Sequence, residues 1–362
     1  MAGEVQWLED MGWVAPQSGP EQVNQAGKVR VDPAASDIAR ESVLGIINNW
    51  RSAHSFPLNS FQMTLRGRAL RVDAGAVVAQ RLKRLSSIEA KLRRYPHIKL
   101  AQMQDIGGCR AVVSSVRRVE ELVALYKQGE SKNPSGRHKF IKESDYIADP
   151  KEDGYRSVHL IYRYYSGSAR HRPYLGLKAE IQIRSRLQHM WATAVETVDT
   201  FTGDPMKAGR GQEPWRRFFA LMGSALAQKE RRPIVPNTPT DPRALVAELR
   251  ELTKTLGVKN RLEAWRAALR QLPVHRGDRD AYFFLLFLDT AAESLTVQEF
   301  KKEDILAAQE AYAAAEKEVA EQADTRQAVL VSVKHLSSLR AAYPNYFLDT
   351  AAFLREVDRA IA

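Results

Sequence analysis

Between Leu177 and Arg186 the side chains alternate: Ala179, Ile181 and Ile183 are small or apolar, while Glu180, Gln182 and Arg184 are polar. A period of two is a strand with one face for a core and the other presenting a carboxylate, an amide and a guanidinium. The period then changes. Leu187, Met190, Trp191, Ala194, Val195 and Val198 recur at helical spacing. A strand with one polar face that runs straight into an amphipathic helix restricts the surrounding chain to layers of helix and sheet. The polar face is a plausible floor for chemistry, and an ordinary half-exposed strand has the same pattern.

Upstream, Ser36 is placed to cap a helix through about His54. Arg81-Leu-Lys83 reads as a short strand with both cations on one face, and Ser86-Ser87 as a helix start with Lys91 just past the first turn. Cations at a helix N-terminus attract anions through charge and through free backbone N–H groups; a solvated basic face has the same residues. Asp105-Ile-Gly-Gly-Cys-Arg110 is a turn entering a strand. Gly107-Gly108 permits positive φ or a close backbone approach. Asp105 fits a Mg²⁺ ligand or a turn aspartate, and Arg110 beside it suits a phosphate or a base. A helix follows over about Val119–Lys127, then a basic loop over Lys132–Lys142. Asp145 to His159 is a rigid polar loop running into a strand, with Tyr155 next to Gly154 as a stacking platform or a loop-packing ring. The order strand–helix–strand–strand–strand–helix predicts a mixed α/β sheet.

Beyond a helix at Trp215–Lys229, Arg231–Pro242 carries four prolines and reads as a linker. Helices are expected at Leu245–Leu256 and Arg261–Leu272, strands at Tyr282–Leu288 and Leu295–Phe300, an alanine-rich helix at Glu303–Gln322, a strand at Val329–Val333 and a closing helix at Ala351–Ile361. The expected organisation is a helical lead over 1–59, a catalytic α+β domain over 60–230, a linker over 231–242 and a smaller α+β binding or regulatory domain over 243–362.

The net charge of +11 favours polyanionic partners such as nucleic acid or nucleotides. One cysteine, Cys109, excludes an internal disulfide and fits a reducing cytoplasm. The histidines are scattered, so no zinc site is expected. Glu4, Glu9 and Asp10 leave no signal-peptide core, and the longest apolar run, Ala281–Leu288, is too short for a bilayer; no membrane partner is expected.

Four motifs in order now act together: Arg81-x-Lys83…Ser87…Lys91, Asp105-Ile-Gly-Gly-Cys-Arg110, Asp145-Tyr-Ile…Lys151…Gly154-Tyr-Arg-Ser…His159, and Glu180-Ile-Gln-Ile-Arg184…Trp191-Ala. Over about residues 60–225 they closely resemble the RelA/SpoT nucleotide pyrophosphokinase domain, which implies a nucleotidyltransferase-like mixed sheet flanked by helices. The resemblance also implies transfer of the β,γ-pyrophosphate of ATP to a ribose hydroxyl with Mg²⁺. Arg81 and Arg110 would sandwich adenine, and Lys83, Ser87 and Lys91 would hold phosphates. Asp105 would bind Mg²⁺, with Glu180 as second ligand or base. Lys151, Arg156, His159 and Gln182 would line the acceptor and phosphate region, and Tyr155 would stack on the acceptor base.

Ala342-Tyr343-Pro-Asn-Tyr346 in the tail is similar to the Tyr-x-x-Tyr motif of the CapRel group, toxic small alarmone synthetases fused to an antitoxin and used in anti-phage defence. That likeness implies pyrophosphorylation of the tRNA 3′-CCA end, autoinhibition through Tyr343 and Tyr346, and release by a phage protein, typically capsid protein. The basic residues Lys132, Arg137, His138, Lys139, Arg163, Arg170 and Arg172 are candidates for a tRNA track. The helix after the catalytic strand reads Trp191-Ala-Thr-Ala-Val-Glu-Thr-Val, where alarmone-making enzymes usually keep a Glu-His pair. This departure weighs against a guanosine nucleotide acceptor; a (p)ppGpp or (p)ppApp synthetase is the alternative.

Overall fold

The computed structural model describes residues 13–132, 138–202, 213–271, 281–289, 294–301, 303–304, 307–308, 311, 314–315, 326–332 and 346–362. The chain divides into two compact units: Met1–Tyr146 with Ser157–Arg186, and Ile147–Arg156 with Leu187–Ala362.

The first unit opens with four helices: α1 (Pro20–Val31), α2 (Asp37–Ser42), α3 (Leu44–Ala53) and α4 (Ser55–Val72). Ser36 caps as expected, its hydroxyl accepting from the Ala39 N–H at 3.2 Å. The single helix expected from Ser36 to His54 is interrupted at Val43. The break leaves α2 exposed, with Ile38 in water, while α3 turns Ile47, Trp50 and Ala53 inward. The long α4 tolerates Pro57 in its first turn, where the missing N–H has no helical partner to lose. It buries Leu58, Phe61, Leu65 and Ala69, spaced along one stripe.

Five strands follow: β1 (Val77–Leu82), β2 (Gly107–Val113), β3 (His138–Asp145), β4 (Val158–Tyr164) and β5 (Lys178–Ser185), with α5 (Leu85–Arg94) after β1 and α6 (Val116–Lys132) after β2. Their spatial order is β1-β2-β5-β4-β3, and only the β2–β5 pair is parallel. One face is apolar: Cys109, Ala111, Val113, Ala179, Ile181, Ile183, Leu160 and Tyr162 are buried there with Leu58, Phe61 and Leu65 of α4 and Val119 and Leu122 of α6. The opposite face takes the other member of each alternation. Register places Arg81, Gly108, Glu180 and Ile161 in one row, and Arg110, Gln182, His159 and Ser144 in the next.

The second unit contains α7 (Arg186–Thr202), whose first residue ends the first unit, α8 (Glu213–Lys229), α9 (Pro242–Thr255) and α10 (Val258–Gln271). An antiparallel sheet of order β7-β6-β8 follows, made of β6 (Ala281–Asp289), β7 (Ser294–Lys301) and β8 (Arg326–Ser332), before α11 (Tyr346–Ile361). Trp191, Trp215, Phe218, Phe219, Leu249, Trp265 and Phe353 form its core. The proline-rich stretch 231–242 is folded against α8: Val235 is buried and donates its N–H to Ser224 Oγ at 2.9 Å, and Asp241 caps α9 through the Ala244 N–H. Tyr343 and most of the expected helix Glu303–Gln322 lie outside the described residues. No described helix is long and apolar enough to cross a membrane.

Candidate active site

Two lysines and one aspartate form the tightest charged cluster of the first unit's polar face. The Lys83 N–H donates to the Ile106 carbonyl at 2.7 Å, fixing the chain just past β1 beside the entry to β2. Lys83 Nζ then lies 2.8 Å from one Asp105 oxygen, and Lys91 Nζ, from α5, 2.9 Å from the other. Burial pushes the Asp105 carboxyl up, but the two ammonium groups outweigh it and hold Asp105 below the usual carboxylate range. The N-cap of α5, Arg84, gives the helix no side-chain cap, and Ser87 is exposed in the first turn. Backbone N–H groups of a first helical turn have no partner within the helix. Free N–H groups at a helix start and nearby ammonium groups are the elements from which phosphate sites are made.

Glu180 is the second centre. His159 Nδ1 meets one of its oxygens at 2.9 Å, and the Gln182 amide donates to the other at 2.6 Å. Arg184 in turn donates to the Gln182 carbonyl oxygen at 3.0 Å. The Tyr146 ring stands perpendicular to the His159 imidazole, centroids 5.2 Å apart. Burial raises the Glu180 carboxyl and the nearby Asp105 charge raises it further; the His159 and Gln182 hydrogen bonds overcome both and hold it low. Both carboxylates are therefore ionised near neutral pH and feel one another's charge. Gly107 and Gly108, which permit positive φ or a close approach, use neither and are ordinary strand residues: a Cβ would meet nothing nearer than 3.5 Å at Gly107 or 3.8 Å at Gly108. Gly108 instead leaves a lane without a side chain between Arg81 and Glu180 in register. Cys109, on the apolar face, has its thiol pushed up to about 12 by burial and plays no nucleophilic part.

Arg110 stands opposite Gln182 on β2, while Lys151, Tyr155, Arg156, Tyr343 and Tyr346 belong to the second unit. Gly154 has φ +92° and closes a turn through its N–H to the Lys151 carbonyl at 2.9 Å. The Asp153 carboxylate accepts the Tyr155 N–H at 2.9 Å, and Lys151 Nζ lies 5.2 Å from the centre of the half-buried Tyr155 ring. Trp191 meets that ring edge-on at 6.4 Å. Arg156, expected in the phosphate and acceptor region, is 2% exposed and paired to Glu230 at 2.7 Å; Gln188 donates to the same oxygen at 3.1 Å. Its local task is to tie the loop to the end of α8. The side chain of Tyr346, first residue of α11, and the whole of Tyr343 fall outside what is described.

Among the described residues no group of three or more His, Cys, Asp or Glu side chains is placed to hold a metal ion. Mg²⁺ does not need one: it binds through one or two carboxylates and takes its other ligands from phosphates and water. Asp105 and Glu180, held anionic on one sheet, fit that pattern. The holders of Glu180 were only partly legible: His159 and Gln182 were identified as site residues, but not that they grip the same carboxylate. Tyr146, quoted within the Asp145-Tyr-Ile motif but given no role there, directly follows the end of β3.

Residues 80–198 match a family described as "Region found in RelA / SpoT proteins". Two Bacillus subtilis (strain 168) proteins are similar: GTP pyrophosphokinase YwaC is 35% identical over 118 residues, 31% of this chain and 52% of that protein, and GTP pyrophosphokinase YjbM is 33% identical over 121 residues, 32% and 52%. The chain thus spans about half the length of the curated relatives it matches. A solved GTP pyrophosphokinase family protein from Streptococcus pneumoniae aligns over 48% of this chain and 84% of its own, with 24% identity and a TM-score of 0.39.

Proposed function

We propose that the chain is an ATP-dependent pyrophosphotransferase whose acceptor is the 3′-CCA end of tRNA. The observation that carries the transfer reaction is Asp105 clamped between Lys83 and Lys91 at the entry to β2, in the sheet that also holds Glu180 in an ionised state. In this reading Arg81 and Arg110 hold the adenine, and Lys83, Ser87 and Lys91 hold the ATP phosphates. Asp105 and Glu180 hold Mg²⁺, which supplies charge neutralisation when bound. The acceptor hydroxyl forms a bond to the β-phosphorus, the bond from that phosphorus to the bridging oxygen of the α-phosphate breaks, and AMP leaves. The hydroxyl proton passes to Glu180 or to water. Positioning and charge neutralisation supply most of what such a transfer needs. Tyr155 with Lys151 takes the acceptor base, and His159 and Gln182 keep Glu180 in place.

The +11 charge supports a tRNA acceptor, as does the helix after the catalytic strand, which lacks a Glu-His pair. The similar Bacillus proteins are GTP pyrophosphokinases, which favours the second reading, a (p)ppGpp or (p)ppApp synthetase. We further propose that residues 243–362 restrain the enzyme through Tyr343 and Tyr346 until a phage protein, such as capsid protein, engages them, which makes the chain a fused toxin and antitoxin of the cytoplasm. Cutting the chain after residue 230 is a poor test, because α9 and α11 share the core of α8 through Leu249 and Phe353. The full chain and its Tyr343→Ala/Tyr346→Ala variant are the right pair. Each is incubated with ATP labelled in its γ-phosphate, Mg²⁺, GDP, ADP and bulk tRNA. Label on tRNA, stronger for the variant, is the expected result; label on GDP or ADP selects the synthetase reading; no label on any acceptor refutes pyrophosphate transfer.

A further inference from the structure

Register sets three cations side by side on the polar face of the five-stranded sheet. Lys139 of β3 is opposite Arg163 of β4, and Arg163 is opposite Lys178 of β5. Residues directly opposite across a ladder share a face, so the three side chains form one row. Lys178 stands two positions before Glu180, on the same face and roughly 7 Å along the strand. Like charges directly opposite one another on a sheet are destabilising. Carboxylates commonly relieve such a row, yet among the described residues none of the three is paired with one. Lys178 reaches only the Gln102 carbonyl at 3.4 Å, and Lys139 lies 5.1 Å from the centre of the Tyr165 ring. Lys139 and Arg163 are exposed, and so is Tyr165, at 40%.

A row of unneutralised cations one step from a catalytic carboxylate is kept at a cost to the fold, and an anion removes that cost. We propose that Lys139, Arg163 and Lys178 form a phosphate-binding row that leads the backbone of an RNA acceptor across the sheet to Glu180. The proposal rests on the RNA-directed transfer put forward above and names the surface that serves it. Neighbouring strands lie about 4.8 Å apart, so the row is about 10 Å wide at the backbone. That is wider than the two linked phosphates of a nucleoside diphosphate, which share one oxygen, whereas successive phosphates of a strand are held apart by a whole sugar. The row also ends on β3, an edge strand of the sheet, where Lys142 is exposed on the same face, and Tyr165, just past β4 and near Lys139, offers a ring on which a base stacks. A small nucleotide held beside Glu180 meets Lys178 and has no use for the far end.

The test is binding, read apart from catalysis. Full-length wild type and the Lys139→Gln/Arg163→Gln variant are titrated with fluorescently labelled bulk tRNA at several salt concentrations, and separately with GDP and with a non-hydrolysable ATP analogue. The variant is expected to bind tRNA about 10-fold more weakly near physiological salt, with the slope of log affinity against log salt reduced by about 2. Binding of GDP and the ATP analogue stays as in wild type. Arg163→Lys keeps the affinity, and Tyr165→Ala lowers it without changing the slope. Removing the two facing cations leaves thermal stability unchanged or higher, which separates lost binding from lost fold. Unchanged tRNA affinity and slope overturn the row, as does a wild type that binds no tRNA at low salt. Weaker GDP binding with unchanged tRNA binding overturns it too, and assigns the cations to a nucleotide. Row-dependent tRNA binding by a chain that transfers no pyrophosphate leaves the row standing and removes the proposed reaction; label transfer to tRNA by the row variant at the wild-type rate does the reverse.

Discussion

His159 Nδ1 lies 2.9 Å from Glu180 Oε1, and the two residues are not adjacent in register: Glu180 faces Ile161 across the β4–β5 ladder, while His159 faces Gln182. The imidazole therefore reaches diagonally, and Gln182 folds back along its own strand to take the second oxygen at 2.6 Å. An ionised carboxylate only accepts hydrogen bonds, so the ring donates through Nδ1. Glu180 is thereby fixed in rotamer and in charge.

The expected consequence is a positioning effect. His159→Ala should lower kcat by about 10- to 100-fold, the cost usual for removing a group that orients a metal ligand or base, with little change in the KM for ATP. His159→Asn places an amide N–H near the old Nδ1 and should recover much of the loss. His159→Gln places it where Nε2 stood and should not. Equal loss in Asn and Gln variants argues against the hydrogen bond as the cause.

Arg156 separates structure from chemistry in the neighbouring loop. It is 2% exposed, and its ion pair with Glu230 is closed further by Gln188. Removing one member of a buried pair leaves an uncompensated charge and costs about 3–5 kcal/mol, whereas replacing both with apolar groups of similar size is often neutral. Arg156→Met should therefore lower the urea midpoint strongly, and Arg156→Met/Glu230→Met should restore most of it. A single variant of native stability with a raised KM would instead make Arg156 a substrate contact.

This pair also shows where sequence reasoning stops. The alternation of Ala179, Ile181 and Ile183 with Glu180 and Gln182 announces β5 and its polar face, because both periodicity and side-chain chemistry are local. Lys83, Lys91 and Asp105 are legible for the same reason: each sits at an element end whose type the neighbouring residues fix. Arg156 and Glu230 are 74 residues apart, and nothing near either one signals the other. The four prolines of 231–242 suggest a slack connection, but composition cannot show that Val235 is 1% exposed against α8. Lys139 and Arg163 stand out from the chain as basic candidates, but their alignment with Lys178 does not, since it depends on a register with a bulge between Phe140 and Lys142.

Gly154 and Gly223 touch through their backbones, and each needs to be glycine for its own reason. Gly154 has φ +92°, and a Cβ there would stand 2.7 Å from the Phe219 carbonyl oxygen and 2.9 Å from the Trp191 ring. A Cβ on Gly223 would stand 2.9 Å from Gly154 Cα. Gly154→Ala combines backbone strain with overpacking and should cost about 2–4 kcal/mol in urea unfolding. Gly223→Ala has overpacking alone and should cost about 1–3 kcal/mol. Because a Cβ on Gly223 meets Gly154 itself, the two changes are coupled and the double variant should depart from the sum. Full additivity would mean that the two glycines do not share a contact.

Asp73 gives the first unit a pH dependence of known sign. The Ser114 N–H donates to its carboxylate at 2.6 Å and the Gly75 N–H at 2.9 Å, tying the turn between α4 and β1 to the end of β2. These bonds, the one from Ser114 foremost, hold Asp73 below the usual carboxylate range. A carboxyl whose pKa is lower in the folded than in the unfolded chain binds its proton more readily when unfolded. Its contribution to stability is therefore complete above the unfolded value of about 4 and disappears as pH falls below that toward the folded value. Asp73→Asn keeps the shape and an acceptor but removes the charge. At pH 7 the variant should melt a few degrees below wild type, and the gap should close progressively below about pH 4. Thermal melts of both proteins over that range check it. A gap of constant size from neutral to acid pH would show that Asp73 acts through shape alone.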